Sequence, residues 1–142
     1  MRSKLPISLC MIAKNEEGFI RAALESVRAV LNIDEMIVAD TGSTDRTKDI
    51  AADNGAAVFD FEWSDDFSAA RNFAAQKARN DWILVLDADE EVISADIRVL
   101  ASFIKDTRAV GTVTAVEMHD KATYTLSRLY NRKTYRFDGI IH

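Results

Sequence analysis

The chain has 142 residues, 48% of them hydrophobic, enough for one domain with its own core and too few for two of ordinary size. Its formal net charge of -5, with no run of Lys or Arg, excludes the basic face that a nucleic-acid binder uses to neutralise phosphates. A single cysteine, Cys10, excludes an internal disulfide, and no stretch approaches the roughly 18 apolar residues of a membrane span.

The opening Met1-Arg2-Ser3-Lys4-Leu5-Pro6 carries charge without the apolar segment of a secretory signal, so a soluble, cytoplasmic domain is expected. Ile7 to Ile12 reads as a buried strand with Cys10 as a core thiol, and Lys14-Asn15-Glu16-Glu17 breaks it. Phe19, Ile20, Ala23, Leu24, Val27, Val30 and Leu31 then recur at helical spacing. Glu16 and Glu17 are expected in the first turn of that helix, where negative charge suits its dipole.

A second strand, Met36 to Ala39, ends in Asp40-Thr41-Gly42-Ser43-Thr44-Asp45, a turn-rich stretch leading into a helix from Asp45 to Asn54 that Gly55 closes. A third, Ala57 to Phe61, precedes Glu62-Trp63-Ser64-Asp65-Asp66 and an alanine-rich helix from Phe67 to Ala78. The fourth, Trp82 to Leu86, runs directly into Asp87-Ala88-Asp89. Ser94 is expected to cap a helix carrying Ile97, Leu100, Ala101 and Ile104 on one face, with strands following at Gly111 to Met118 and Tyr124 to Tyr130. The last residues, Arg136 to His142, lack a closing polar tail, as expected of a piece of a longer protein. Strands and helices alternate at short period, the pattern of a parallel sheet with crossover helices.

In an open parallel sheet, ligands bind beyond the carboxyl ends of the strands. A hard cation such as Mg²⁺ takes one or two carboxylates together with phosphate oxygens of a substrate. Glu16 and Glu17 after the first strand, Asp40 after the second, and Asp87 with Asp89 after the fourth are expected to converge on that edge. Such a cluster is costly unless a cation or a ligand's donors answer it.

Asp40 is placed to accept an N–H from a flat base, with Gly42 letting a ligand approach the backbone, although the same residues suit an ordinary strand-to-helix turn. Arg71, beside Asn72, has the shape to clamp a phosphate or to pair with a site carboxylate. Trp63 and Trp82 are expected in the core and His119 on the surface. His142, ending Gly139-Ile140-Ile141-His142, could reach a metal.

Ile7 to Glu17, Asp40 to Thr47, Ala70-Arg71-Asn72 and Leu86-Asp87-Ala88-Asp89-Glu90 resemble, in order and spacing, the N-terminal half of family 2 glycosyltransferases of the GT-A fold. The resemblance spans residues 5–142, and its wording is nearest to a bacterial branch of peptide-modifying and cell-envelope enzymes. It implies one glycosyltransferase catalytic domain over residues 1–142, truncated at its C-terminal end. The implied fold class is α/β: a Rossmann-like, mostly parallel sheet flanked by helices in three α/β/α layers.

The implied reaction is a metal-assisted, inverting transfer of a sugar, of hexosyltransferase type, from a nucleotide-diphosphate sugar to an acceptor. A UDP-sugar is the favoured donor, and the acceptor is left open. By the same resemblance Asn15, Glu16, Asp40, Arg71, Asp87 and Ala88 bind the nucleotide-sugar. Asp40 meets the base, Asn15 and Glu16 line the nucleoside pocket, Asp87 lies near ribose and sugar, and Arg71 supports the pocket or the phosphates. Asp89 holds Mn²⁺ or Mg²⁺ at the diphosphate, with Asp87 and His142 as further ligand candidates.

The family's carboxylate general base normally lies well beyond the Asp-x-Asp, and no substitute is visible in this sequence. The catalytic base is therefore unassigned, and a non-catalytic nucleotide-sugar-binding module stands as the alternative. No nucleic-acid partner is expected, and oligomerisation is left open. A phosphatase of the haloacid-dehalogenase type would carry Asp-x-Asp on the first strand, an EF-hand would need glycine where Val92 stands, and no Gly-x-Gly-x-x-Gly follows the first strand for a dinucleotide site.

Overall fold

The computed structural model describes residues 4–94, 111–118 and 123–135. Its elements are β1 (Leu5–Ala13), α1 (Ile20–Val30), β2 (Ile33–Asp40), α2 (Thr47–Asp53), β3 (Ala57–Asp60), α3 (Phe67–Lys77), β4 (Trp82–Val85), β5 (Glu90–Ser94), β6 (Gly111–Glu117) and β7 (Thr123–Asn131). The expected strands and helices up to β4 are all present, with ends shifted by a few residues.

All the strands join one seven-stranded sheet in the order β3-β2-β1-β4-β7-β6-β5. The first four are mutually parallel, while β4–β7, β7–β6 and β6–β5 are antiparallel. Five strands thus share one direction, which makes the sheet mixed but mostly parallel. The chain lays β2 and β3 on one side of β1 and then places β4 on the other. The gap between the carboxyl ends of β1 and β4 is therefore the point where strand order reverses, the place where such sheets hold ligands.

Helices cover both faces of the sheet. Ile7, Leu9, Met11 and Ala13 of β1 point to the face packed by Ile20, Ala23, Leu24 and Val27 of α1 and by Ile50 and Ala51 of α2. Cys10, Ile37, Ala39, Ile83 and Val85 point to the other face, where Ala74 and Ala75 of α3 lie against them. Small alanines let α3 sit close to the strands, which explains why so Ala-rich a segment is the inner wall of a helix layer. Cys10 is a buried core thiol as expected, and burial first, then the charge of Glu35, pushes its pKa up to about 12.

Local chemistry sets the helix ends. Gly55, at φ +88°, donates to Ala52 O while Ala56 donates to Ala51 O, the paired bonds of a Schellman stop for α2. Asp66 caps α3 by accepting from Ala69 N–H at 3.2 Å. The expectation for α1 is corrected: the helix begins at Ile20 with no acidic residue in its first turn. Glu16 and Glu17 lie in the preceding loop because their N–H groups donate to Thr47 Oγ1 and Asp45 Oδ2 across the neighbouring loop.

Ser94 ends β5, opposite Thr114 in the antiparallel pairing with β6, so within the described residues it is a strand residue. The helix expected over 97–104, and His119 and His142, lie outside the described residues. Among the described residues no helix is long and apolar enough to cross a membrane.

Candidate functional site

A cleft of about 390 Å³ opens at the carboxyl edge of the parallel strands. Ile12, Lys14 and Glu16 border it from the end of β1, and Thr41 from the end of β2. Trp63 and Phe67 form its wall on the β3–α3 side, and Asp87, Ala88 and Asp89 supply the end of β4. Of the residues expected at the nucleotide-sugar, Glu16, Asp87 and Ala88 line this cleft together with Asp89. Asn15, Asp40 and Arg71 are not among the lining residues, and each instead braces one that is.

Asp40 is only 2% exposed and faces inward. Its Oδ2 accepts Gly42 N–H at 3.1 Å and Ser43 N–H at 2.8 Å, and its Oδ1 accepts the Ser43 hydroxyl at 2.5 Å. The carboxylate thereby folds the 41–43 turn back on itself and presents the next residue, Thr41, to the cleft. Thr41 is tied to β1 through its own N–H, donated to Ala13 O at 3.0 Å. Gly42 is favoured by its φ of +116° alone, because a side chain there would meet no protein atom within 4 Å and only the backbone conformation disfavours one.

Asn15, at φ +52°, stitches the two loops together: its N–H donates to Ser43 Oγ at 2.9 Å and its Oδ1 accepts Thr44 N–H at 2.8 Å. Glu17 adds a further link by accepting Arg46 N–H at 2.9 Å. Four loop contacts across some thirty residues of sequence thus fix where Glu16 stands.

At the end of β4 the turn is closed from below. Glu90, 1% exposed, accepts Asp87 N–H on Oε1 at 2.8 Å, and its own N–H donates to Asp87 O at 3.0 Å. Arg71 of α3 donates to Asp87 Oδ1 at 3.3 Å, the ion-pair role for that side chain. Asp89 O accepts Met118 N–H at 2.7 Å, which anchors the turn to β6. The Asp89 carboxyl is pushed up to about 6, first by burial, then by the hydrogen bond it shares with Glu117 and by the charges of Asp87 and Glu16.

Among the described residues no three His, Cys, Asp or Glu side chains are grouped so as to hold a metal ion by themselves. Asp87 and Asp89 do offer hard oxygen donors on one cleft wall. The nearby charges of Asp87 and Glu16, which add to burial and the Glu117 hydrogen bond in raising Asp89, are a repulsion that a cation would relieve, so the pair fits a hard divalent ion whose remaining ligands are water or substrate oxygens.

Two expectations about aromatic residues divide. Trp82 is in the core as expected. Trp63 is corrected to the cleft wall, where its ring meets Phe67 edge to face at 4.8 Å. Its position just after β3, on the same edge as Asp40 and Asp87, was the available signal. Composition alone favoured the core because Trp is apolar.

The sequence matches the family description "Glycosyl transferase family 2" over residues 8–141. It is 45% identical over 140 residues to a TPR repeat-containing protein of Synechococcus elongatus, covering 96% of this chain and 34% of that protein. The chain spans about a third to a half of the length of the first curated relatives it matches. Among solved structures, it resembles Staphylococcus aureus TarS with a TM-score of 0.60 at 24% identity, over 71% of this chain and 32% of that one. It also resembles glucosyl-3-phosphoglycerate synthase of Mycobacterium tuberculosis, solved with Mn²⁺, UDP and glucosyl-3-phosphoglycerate, with a TM-score of 0.50 at 28% identity, over 68% of this chain and 37% of that one.

Proposed function

The chain belongs to glycosyl transferase family 2, and from that premise we propose that it binds the nucleotide-diphosphate sugar of a metal-assisted, inverting transfer of a sugar to an acceptor. One observation carries this: at the switch point between β1 and β4, a single cleft gathers the carboxylates of Glu16, Asp87 and Asp89 with Thr41 of β2. A run of acidic groups with no basic residue but Lys14 on the lining, among the described residues, suits a ligand whose negative charge arrives with its own cation.

In this reading Asp89 and Asp87 hold a divalent ion, Mn²⁺ or Mg²⁺, against the diphosphate. When bound, such an ion supplies Lewis-acid stabilisation of the leaving phosphate oxygens. Arg71 keeps Asp87 oriented, and Glu90 fixes the turn that presents both aspartates. Asp40 and Asn15 shape the loop pair that places Glu16 and Thr41 against the nucleoside. Mn²⁺ and UDP together on the Mycobacterium tuberculosis synthase support this choice of donor and ion.

Calorimetry with UDP, GDP and dTDP, each with and without Mn²⁺, is the direct test. A nucleoside diphosphate that binds only with the cation is the expected result, and equal or absent binding under both conditions ends the proposal. A donor-hydrolysis assay on the same protein then separates a transferase from a module that binds the donor without turning it over.

A further inference from the structure

β6 brings a further strand end to the cleft. Because β4–β7 and β7–β6 are both antiparallel, β6 runs in the direction of β1 to β4, and its last residue, Glu117, reaches the same edge as their carboxyl ends. It is lashed to the Asp-x-Asp turn: Met118 N–H donates to Asp89 O at 2.7 Å, and the Glu117 side chain shares a hydrogen bond with the Asp89 carboxyl. Glu117 is half-buried and stands directly opposite Glu90 in the β5–β6 pairing. The two glutamates divide the aspartates between them. Glu90 takes the backbone N–H of Asp87 at 2.8 Å, and Glu117 takes the side chain of Asp89.

We infer that Glu117 is a positioning residue for the cation site, holding the Asp89 carboxylate in place for the divalent ion. The inference rests on the donor-binding proposal above and names the residue that stands behind one of the ion's two protein ligands. Ligating carboxylates are commonly hydrogen-bonded in turn by a neighbour that fixes their orientation. Arg71 does so for Asp87, and Glu117 is the side chain placed to do so for Asp89.

The chemistry of the partner matters. A second guanidinium at Asp89 would cancel the charge that draws a hard cation, whereas an acid partner orients the carboxyl and leaves this wall of the cleft negative. A hydrogen bond between two carboxyl groups holds a single proton. An ion on Asp89 leaves that proton with Glu117, which then donates to the carboxylate. Like charges directly opposite on paired antiparallel strands destabilise a sheet, so acids placed face to face at Glu90 and Glu117 are an arrangement that packing alone disfavours. The cation site supplies a reason for it.

Calorimetry with the tightest-binding of UDP, GDP and dTDP, repeated across a series of Mn²⁺ concentrations, gives the concentration at which half of the cation-dependent affinity is gained. Glu117→Ala should raise that concentration by about 10- to 100-fold, the usual effect of removing the partner of a metal ligand. Glu117→Gln retains an N–H for Asp89 and should recover most of the loss. Melting temperatures taken without metal or nucleotide report on the fold separately. If Glu117→Ala does not fold, Glu117→Leu, which keeps bulk but no hydrogen bond, replaces it in the same comparison. An unchanged Mn²⁺ requirement overturns the inference, whether or not the melting temperature drops. Equal losses in Glu117→Ala and Glu117→Gln also overturn it, since they make Glu117 a ligand of the ion itself. If the unsubstituted chain gains no nucleotide affinity from Mn²⁺, the donor-binding proposal falls and this inference falls with it. If it does, and the substituted chains need no more Mn²⁺ than it does, only the role of Glu117 is refuted.

Discussion

Arg71 of α3 donates from Nη2 to Asp87 Oδ1 across 3.3 Å, so one helix layer is fastened to the strand end that carries the Asp-x-Asp. The guanidinium is mostly buried and the carboxylate is half open to the cleft. The pair therefore lends the site a fixed acid rather than a free one.

Arg71→Ala leaves Asp87 beside Asp89 and Glu16 with that cation gone. Without added metal the variant should lose about 1–3 kcal/mol of stability, the usual consequence of deleting a hydrogen bond to a charged group. Mn²⁺ should restore part of the melting temperature by replacing the missing positive charge. Arg71→Lys keeps the charge but not the planar fork, so it should recover only part of the loss. Thermal melts with and without Mn²⁺ measure all three.

Asp40→Ala removes the acceptor for two backbone N–H groups and one hydroxyl in a buried turn. A stability loss of about 2–3 kcal/mol is expected, accompanied by weaker nucleoside binding with or without metal, because Thr41 is no longer held at the cleft. If Asp40 touches the base directly, affinity falls while the melting temperature stays at the wild-type value.

For Asp89 the sign follows from its raised pKa. Burial, Glu117, Asp87 and Glu16 favour its protonated form in the folded state, from 3.8 to about 6. The folded chain then binds more protons than the unfolded one across that interval, so this group's contribution to stability declines as pH rises through it. Asp89→Asn removes the charge and should melt higher than wild type at neutral pH, with the difference shrinking toward pH 3.8. The same variant should lose Mn²⁺-dependent nucleotide binding. A variant that melts lower and still binds with Mn²⁺ would mean that Asp89 merely braces the turn.

Glu35, at the opposite edge of the sheet, carries the reverse dependence. Burial alone would raise it, but Arg79 N–H at 2.7 Å, the Ser8 hydroxyl at 2.7 Å and the Arg79 guanidinium at 3.0 Å outweigh burial and hold it below 4.5. Its contribution to stability is complete above pH 4.5 and is lost as pH falls through the lower folded value. Glu35→Gln should flatten the acid limb of the melting curve measured against pH. Because Arg79 is exposed, Arg79→Ala should flatten it only slightly.

The alternation of apolar runs with helical spacing was enough to locate the elements through β4. The run Trp82 to Leu86 was also enough to put Asp87 and Asp89 at a strand end, because strand burial and helix faces are periodic along the chain itself. The carboxyl edge followed, since parallel strands all end on one side. The side on which β4 joins β1, and with it the switch point beneath the cleft, depended on packing that no local period records. So did the choice among acids. Glu16 and Asp40 look alike in sequence, yet one lines the cleft and the other folds a turn, because Ser43 Oγ accepts Asn15 N–H and Thr47 Oγ1 accepts Glu16 N–H across 28 and 31 residues, while Asp40 accepts Ser43 N–H. Trp63 reached the cleft for a like reason. The carboxylate of Asp65 holds its indole N–H, and a hydrogen bond in a loop is set by backbone angles and neighbours that only the folded chain brings together.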